Sequence, residues 1–318
     1  MADRAEYDTL VHRLSVASVD KHYEPYIDIA WDDPAMRIDP ADPRWILSSK
    51  LDPLGAHPWY QALPSETQAR IGLWRVATAM KTGVEFENLL KRGLLAYAFW
   101  LPNGSTEFRY AYHEVIEEGH HGMMFQEFVN RTGMPIHGVP NGIRQTAQAI
   151  PALGIAFPEL FFFFVLGGED PIDYVQRSTL GAGVEVHPLL ERIMRIHVAE
   201  EARHLSFARH YLRRRVPKLG PVRRSIISVA IPMILYRMSR VMLGASRDMV
   251  REFQIPKSVL EDVYRSPQAR AERRNSLAKV RELAVELGLA GPGPRRLWKA
   301  LGLWPHRGDA ALTRRSAA

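Results

Sequence analysis

Three side chains able to bind a metal ion recur at helical spacing within residues 193–208. They are His197, Glu201 and His204 in the segment IMRIHVAEEARHLSFA. On an α-helix this spacing places all three on one face, and the rest of that face is apolar. Two imidazoles and a carboxylate would be costly to bury unpaired, whereas a metal ion would satisfy all three. The segment therefore predicts a buried metal site.

A second Glu-x-x-His motif lies earlier in the chain. Glu118 and His121 in the segment EEGHH match Glu201 and His204 in the segment EEARH. The spacing puts a carboxylate and an imidazole one helical turn apart, where both can reach one ion or two neighbouring ions. Chance alone gives roughly one such pair in a chain of this composition, so two pairs on apolar helix faces indicate a shared metal centre.

The register of the earlier motif is ambiguous, because Glu117 and His120 have the same spacing as Glu118 and His121. The face centred on Glu118 is mainly apolar, whereas polar residues interrupt the face centred on Glu117. We therefore predict that Glu118 and His121 are ligands, and that Glu117 and His120 lie in solvent or beside the ligands. Glu114, one turn before Glu118, stays open as an extra ligand or a partner of the ligands.

Two further helices each offer one carboxylate that points inward. Glu87 has apolar neighbours at helical spacing, whereas Glu85 lies among polar residues. Glu169 shares an apolar face, whereas Glu159 follows a proline and suits a helix N-terminus. We therefore choose Glu87 and Glu169. Pro171 should distort the helix beside Glu169, because proline removes a backbone donor.

The predicted ligands come from four helices and comprise four carboxylates and three imidazoles. They are Glu87, Glu118, His121, Glu169, His197, Glu201 and His204. One Glu from each of two helices, plus Glu-x-x-His from two others, is the arrangement of ferritin-like di-iron and di-manganese bundles. Their charge balances two divalent ions, and their donors suit two Fe ions, with Mn possible. The alternative is that they pair with arginines such as Arg203 and hold no metal.

The elements that position these ligands are predicted as long helices, since no alternating strand pattern of useful length occurs. Helices are expected at residues 65–100, 106–131, 145–180 with proline interruptions, and up to about residue 215, with further helices after residue 221 and within 258–289. We predict an all-α, ferritin-like four-helix bundle at residues 65–250. An irregular N-terminal segment, residues 1–64, would pack on it. A helical extension with a basic, loosely held tail would occupy residues 251–318.

The composition narrows the function further. The chain has 318 residues and no cysteine, which excludes disulfides, zinc–thiolate sites, iron–sulfur clusters and cysteine nucleophiles. The net charge is +7, with many arginines in residues 203–224. We interpret them as a solvated face and not as a nucleic-acid site, because aromatic residues are not interleaved with them.

No targeting segment is expected. The N-terminus lacks the basic and apolar regions of an export signal. The most apolar late stretch, residues 225–243, contains Arg237 and Arg240 and falls short of an unbroken membrane span. We therefore predict a cytoplasmic protein without an integral membrane segment.

With these motifs the chain resembles the p-aminobenzoate N-oxygenase (AurF-like) family of non-haem di-iron enzymes. The matching segments are FEN around Glu87, EEGHH at 117–121, GGED around Glu169 and HVAEEARH at 197–204. The extra histidine, His197, is the most specific match, and the resemblance covers residues 28–243. It implies a di-iron site with three His and four Glu ligands on a ferritin-like bundle.

The resemblance also implies what such a centre does. It activates O2 and oxidises a small molecule; in the best-known members an aromatic amine is converted through the hydroxylamine towards a nitro group. Electrons come from an external donor, and a homodimer is expected. Residues 161–164, four phenylalanines, would wall a substrate cavity or, as we favour, belong to the bundle core. Arg177 and Arg203 are available to a substrate carboxylate.

Two other classes of function stay open. A hydroxylase or desaturase of carrier-bound acyl groups would use the same metals and dock an acidic carrier on the basic residues 209–224. A non-enzymatic protein would instead store iron in a cage of many subunits, or bind partners through its basic helices without any metal.

Overall fold

The computed structural model describes residues 2–305, which form helices without any strand between them. The α-helices are α1 (Ala2–Asp20), α2 (Pro25–Asp28), α3 (Pro58–Gln61), α4 (Ser65–Ala98), α5 (Thr106–Thr132), α6 (Asn141–Ala147), α7 (Leu153–Ala156), α8 (Pro158–Gly181), α9 (Pro188–Arg215), α10 (Pro221–Leu243), α11 (Arg247–Glu252), α12 (Lys257–Arg265), α13 (Pro267–Ser276), α14 (Ala278–Glu286) and α15 (Pro292–Ala300). Short 3-10 turns lie at Pro34–Met36, Pro43–Trp45, Ile150–Ala152 and Val216–Lys218. The predicted all-α, ferritin-like fold is confirmed.

The core of the fold is a bundle of the four long helices α4, α5, α8 and α9. α4 packs mainly on α5, and α8 mainly on α9. Short connections join the helices within each pair, whereas residues 133–157 form the longer crossover between the pairs. Two pairs joined by a crossover are typical of ferritin-like bundles. Prolines at the first positions of α8 and α9, and a left-handed Gly133 after α5, mark the helix ends.

The four phenylalanines at 161–164 lie in the apolar core, and Phe164 also lines a cavity beside Phe86 and Met238. All four are buried, in a cluster that joins α8 to α4, α9 and α10. Phe161 approaches α4 at Gly93, where a Cβ atom would lie only 2.1 Å from its ring. The core interpretation of this segment is therefore confirmed.

The N-terminal region departs from the prediction. Residues 2–20 form the helix α1, which packs on α5 and α9, so the prediction of irregular chain for this part was wrong. Its buried stripe consists of Tyr7, Val11, Ser15 and Ser18. Half of the stripe is serine, and for that reason the helix leaves no apolar pattern in the sequence. Residues 21–64 contain only short helical turns.

Two further predictions, an interruption at Pro171 and a loosely held tail, were wrong. α8 continues through Pro171 to Gly181 without interruption, and it packs on both α9 and α10, which stabilises the helix. The tail after residue 291 is not loose throughout: α15 follows, and its Trp298 is fully buried. The rest of the predicted basic tail, residues 306–318, lies outside the described residues.

One helical stretch, residues 221–252, is long and apolar enough to cross a bilayer by length and composition, and 33% of its most apolar window is buried. One face of α10 packs on α8. The opposite face exposes the apolar residues Val222, Ile226, Val229 and Met233. Core helices of bundles also meet these criteria, and the expected absence of a membrane segment stays a prediction.

The N-terminal region is fixed to the bundle where the carbonyl group of Trp45 approaches Gly72 of α4. A Cβ atom at Gly72 would lie 1.8 Å from that carbonyl oxygen. Gly72→Ala should therefore lower the free energy of unfolding, measured by urea denaturation, by about 1–3 kcal/mol or more. Gly119→Ala, where the added Cβ meets no atom within 4 Å, should be neutral or stabilise by up to about 1 kcal/mol. Equal effects would contradict the close approach.

Candidate metal centre

The seven predicted ligand side chains come together inside the bundle, and each is at most 1% exposed. Their donor atoms form overlapping groups within which all atoms lie within 4.8 Å of one another. The groups are Glu87, His121 and His197; Glu118, His121 and Glu201; Glu169, His197 and Glu201; and Glu114, Glu118 and His204. Such overlap is what two ions about 3.5–4 Å apart would need. That the seven residues bind metal stays a prediction.

Glu118 and Glu201 lie at the centre of this cluster, between two imidazoles. Nδ1 of His121 is 3.5 Å from one oxygen of each carboxylate. Nδ1 of His204 is 3.1 Å from one oxygen of each. The two Glu-x-x-His motifs thus face each other with approximate symmetry. Either carboxylate is placed to bridge two ions, one on the side of each imidazole.

The outer nitrogen of each imidazole is held by a carboxylate from the opposite motif. Nε2–H of His204 donates to Glu117 on α5 at 2.7 Å, and Nε2–H of His121 donates to Glu200 on α9 at 2.8 Å. We name these two contacts the crossed pairs. An ionised carboxylate only accepts hydrogen bonds, so each pair puts the proton on Nε2 and turns Nδ1 inward, as metal-binding histidines require.

Arg203 joins the crossed pairs from outside. Its guanidinium lies 2.8 Å from Glu117 and 3.7 Å from Glu200. Burial would raise the pKa of Glu117, but His204 and Arg203 outweigh burial and hold that pKa at about 2. Among the described residues, the ion pairs of Arg203 go to these two carboxylates and not to a predicted ligand. The arrangement argues against the alternative in which Arg203 neutralises the ligands.

His197 is oriented differently from the other two histidines. Its Nδ1–H donates to Oε1 of Gln176 at 2.9 Å, and its Nε2 points towards Glu201 at 3.7 Å. Burial, and then the charge of His121, lower the pKa of His197 well below its ordinary value. His197 is therefore a neutral imidazole whose free nitrogen faces the cluster.

Several carboxylates in the cluster lack the partners that burial demands. Both oxygens of Glu169 and one oxygen each of Glu87 and Glu201 have no hydrogen-bond partner among the described residues. Burial, and then the charges of Glu118 and Glu201 respectively, raise the pKa of Glu87 and Glu169. Cations would supply the missing charge at these oxygens. The residues therefore fit a two-metal centre with nitrogen and oxygen donors.

Sequence reasoning missed part of this arrangement. It placed Glu117 either in solvent or beside the ligands, and the latter is found, while His120 is half-buried. Glu200 and Gln176 were not considered. A signal for Glu200 was present, because both motifs begin with two consecutive glutamates, EEGHH and EEARH. In each motif the first Glu binds the histidine of the other motif, and the second lies in the cluster.

Comparison with known proteins agrees with this geometry. The family model for p-aminobenzoate N-oxygenase AurF matches residues 4–288. The chain belongs to the AurF family. The uncharacterized proteins Mb0909 of Mycobacterium bovis and Rv0885 of Mycobacterium tuberculosis are each 44% identical over 300 residues, which cover 94% of this chain and 88% of the relative. AurF membership confirms the resemblance, suggests an oxygenase, and implies a di-iron centre.

A cavity of about 330 Å³ lies beyond His197: none of the seven predicted ligands lines it, but Phe125 and Gln176, which contact His197, do. Each bundle helix contributes a residue to its wall near the cluster: Gly83, Phe125, Gln176 and Met194. The ring of Phe125 lies 5.2 Å from that of His197. Its far end carries Arg75, paired with Asp52 at 2.7 Å. Arg177 and Arg203 do not line this cavity and bind Asp173 and Glu117 instead.

The crossed pairs predict the effect of removing one outer charge. Glu200→Gln should weaken metal binding about tenfold, because the Nε2–H of His121 loses its ionic acceptor. A competition titration of Mn²⁺ against a chromophoric chelator measures this change. Glu191→Gln, on the surface of the same helix, where Glu191 pairs with Arg195, is the control and should bind Mn²⁺ like the wild type. Equal affinities of the two variants would contradict the role of Glu200.

Metal binding should release protons and strengthen as the pH rises. Burial disfavours the imidazolium form, but neighbouring carboxylates outweigh burial and raise the pKa of His121 and His204 well above 6.5. The pKa values of Glu87 and Glu169 are raised as well. Protons held by these groups in the free protein must leave before an ion binds, so the affinity should increase from about pH 6 to about pH 8.

Calorimetric titration with Mn²⁺ in two buffers of different ionisation enthalpy measures the number of protons released. We expect more than one proton per pair of ions at neutral pH. An affinity independent of pH, with no proton released, would contradict the pKa shifts of these four side chains.

Proposed function

We propose that this protein is a non-haem di-iron oxygenase that oxidises a small aromatic or apolar amine. The first step would be R–NH2 + O2 + two electrons + two protons → R–NHOH + H2O, with the electrons from an external donor. One oxygen atom enters the new N–O bond and the other leaves as water. The observation that supports this proposal is the buried cluster of seven donors, with unpartnered carboxylates, in a chain of the AurF family.

The chain's own residues have distinct roles in this proposal. Bound iron would supply the activation of O2. Glu118 and Glu201 would help to hold both ions, since each lies between two imidazoles. The crossed pairs would keep both Nδ1 atoms directed inward during turnover. Complete burial of the cluster excludes bulk water, which strengthens electrostatic interactions and protects a reactive oxidant.

The cavity supports a small substrate. Its volume of about 330 Å³ lies at the lower end of the range of ligand pockets. Phe125 and Met194 offer apolar contacts beside the cluster, and the far end is polar. Burial raises the pKa of Glu272 at this end to about 7. A flat amine would thus lie with its nitrogen towards His197 and a polar substituent towards Arg75 and Glu272.

The competing function, oxidation of a carrier-bound acyl group, finds less support. It requires free basic residues within 209–224, yet most arginines there have partners within the fold. Carboxylates bind Arg209, Arg213, Arg214 and Arg215. Backbone carbonyls bind Arg223 and Arg224. This stretch ties helices together and offers an acidic carrier little unpaired charge.

The remaining parts of the proposal rest on the family and the sequence. They are iron in preference to manganese, a homodimer, an external electron donor, and a cytoplasmic location. Donors of this kind suit both metals, so the metal has to be measured.

The decisive test is metal content and oxygen response. After anaerobic loading with Fe²⁺ we expect two irons per chain, and admission of O2 should produce an absorption change in the visible range. Iron far beyond two per chain in a large assembly would indicate storage. Two ions without an oxygen response would remove the oxygenase function, and no stoichiometric metal would remove the metal centre. A positive response justifies a screen of arylamines by mass spectrometry.

The cavity predicts a specific effect on substrate binding. Leu190→Trp adds bulk to the cavity wall and should raise the KM for a productive arylamine about tenfold or more. Leu95→Trp, at a position that is 40% exposed on α4, is the matched control and should leave the KM unchanged. Both variants should retain two irons per chain. Equal KM values for the two would show that the substrate binds elsewhere.

A further inference from the structure

Glu114 is a buried carboxylate outside the seven predicted ligands. It lies on α5, one turn before Glu118, and is 0% exposed. Neither of its oxygens has a hydrogen-bond partner among the described residues. Leaving a buried carboxylate without a partner is strongly unfavourable. Glu114 must therefore either hold a proton or be compensated by a cation.

The neighbours of Glu114 indicate which of the two predicted ions it would bind. One of its oxygens lies within 4.8 Å of a carboxylate oxygen of Glu118 and a ring nitrogen of His204. His197 belongs to different groups of donor atoms, those that contain Glu87 and Glu169. Glu114 therefore lies at the end of the cluster opposite to His197. We propose that Glu114 is an eighth protein ligand, bound to the ion that Glu118 and His204 hold. This inference rests on the proposed metal centre.

A comparison with Glu117 supports this assignment. The two glutamates lie on the same helix, and both are buried. Glu117 is neutralised by Arg203 and His204, at 2.8 Å and 2.7 Å. No described arginine or lysine forms an ion pair with Glu114. The hydroxyl group of Tyr110, one turn earlier, is also buried without a partner. Of the two glutamates, only Glu114 has no partner among the described residues and is thus free to bind an ion.

A fifth carboxylate changes the charge balance of the centre. Four carboxylates would neutralise two divalent ions, so an ionised Glu114 would add one negative charge in excess. Coulomb interactions at short range in a buried site are strong. Glu114 should thus stabilise the oxidised pair of ions more than the reduced pair and lower the reduction potential. Its neutral analogue should raise the potential.

The test uses Glu114→Gln, which keeps the size of the side chain and removes its charge. In the metal-free protein this variant should have an unchanged or higher Tm, because Glu114 has no hydrogen-bond or ion-pair partner there to lose. Addition of Co²⁺ should raise its Tm less than that of the wild type, and the weaker of the two Co²⁺ sites should lose at least about tenfold in affinity. Visible absorption of the bound Co²⁺ should intensify, since one ligand fewer lowers the coordination number.

The control is Glu159→Gln, another fully buried glutamate, at the start of α8 and paired with Arg215. It should lower the Tm of the metal-free protein and leave the Co²⁺ affinity and spectrum unchanged. Glu114→Asp is the second variant: it keeps the charge but shortens the side chain by one methylene. It should likewise weaken the Co²⁺ site.

The outcomes separate this inference from the proposed function. If the wild type binds two Co²⁺ ions and both Glu114 variants match it in affinity and spectrum, Glu114 is not a ligand. A lower Tm of metal-free Glu114→Gln would likewise overturn the inference, because it would reveal a structural partner. A wild type that binds no Co²⁺ would overturn the metal centre itself.

Discussion

The concentration of buried negative charge is the constraint on which the rest of this structure depends. Five carboxylates, those of Glu87, Glu114, Glu118, Glu169 and Glu201, lie within the bundle with at most 1% exposure. Water cannot compensate them, imidazoles lie among them, and the charge of Lys91 offsets only part of the burial of Glu87. Such a group is tolerable in a low dielectric only when bound protons or cations offset its charge. Long helices are needed because the charged side chains must lie in the middle of the core, away from the helix ends.

Charge alternates outward from this centre. The two carboxylates of the crossed pairs lie outside the imidazoles, and Arg203 lies outside these carboxylates. Each layer offsets the one within it, and only the outermost layer approaches solvent, with the Arg203 side chain 9% exposed. The gradual transition explains how an apolar bundle accommodates a polar centre. The phenylalanines at 161–164 supply the apolar packing beside it.

Sequence periodicity predicted the fold class and the inward faces because both follow from local spacing. Glu87 and Glu169 were preferred over Glu85 and Glu159 on apolar neighbours alone. Glu85 indeed binds Arg144 near the surface, but Glu159 is buried, paired with Arg215. The partner Gln176 could not be predicted, because contacts between helices depend on how far each helix is shifted along its axis, whereas the repeated EE of the two motifs was an unused signal for Glu200. α1 was missed since serines interrupt its apolar stripe.

The crossed pairs have a consequence for how such a protein can evolve. His121 and His204 each depend on a glutamate that lies on the other helix, so neither motif is a self-sufficient unit. A helical hairpin with only one EExxH segment would present an imidazole of undefined orientation. Substitutions at Glu117 are thus constrained by His204, and those at Glu200 by His121. The orientation of these two histidines is therefore a property of α5 and α9 together and not of either helix alone.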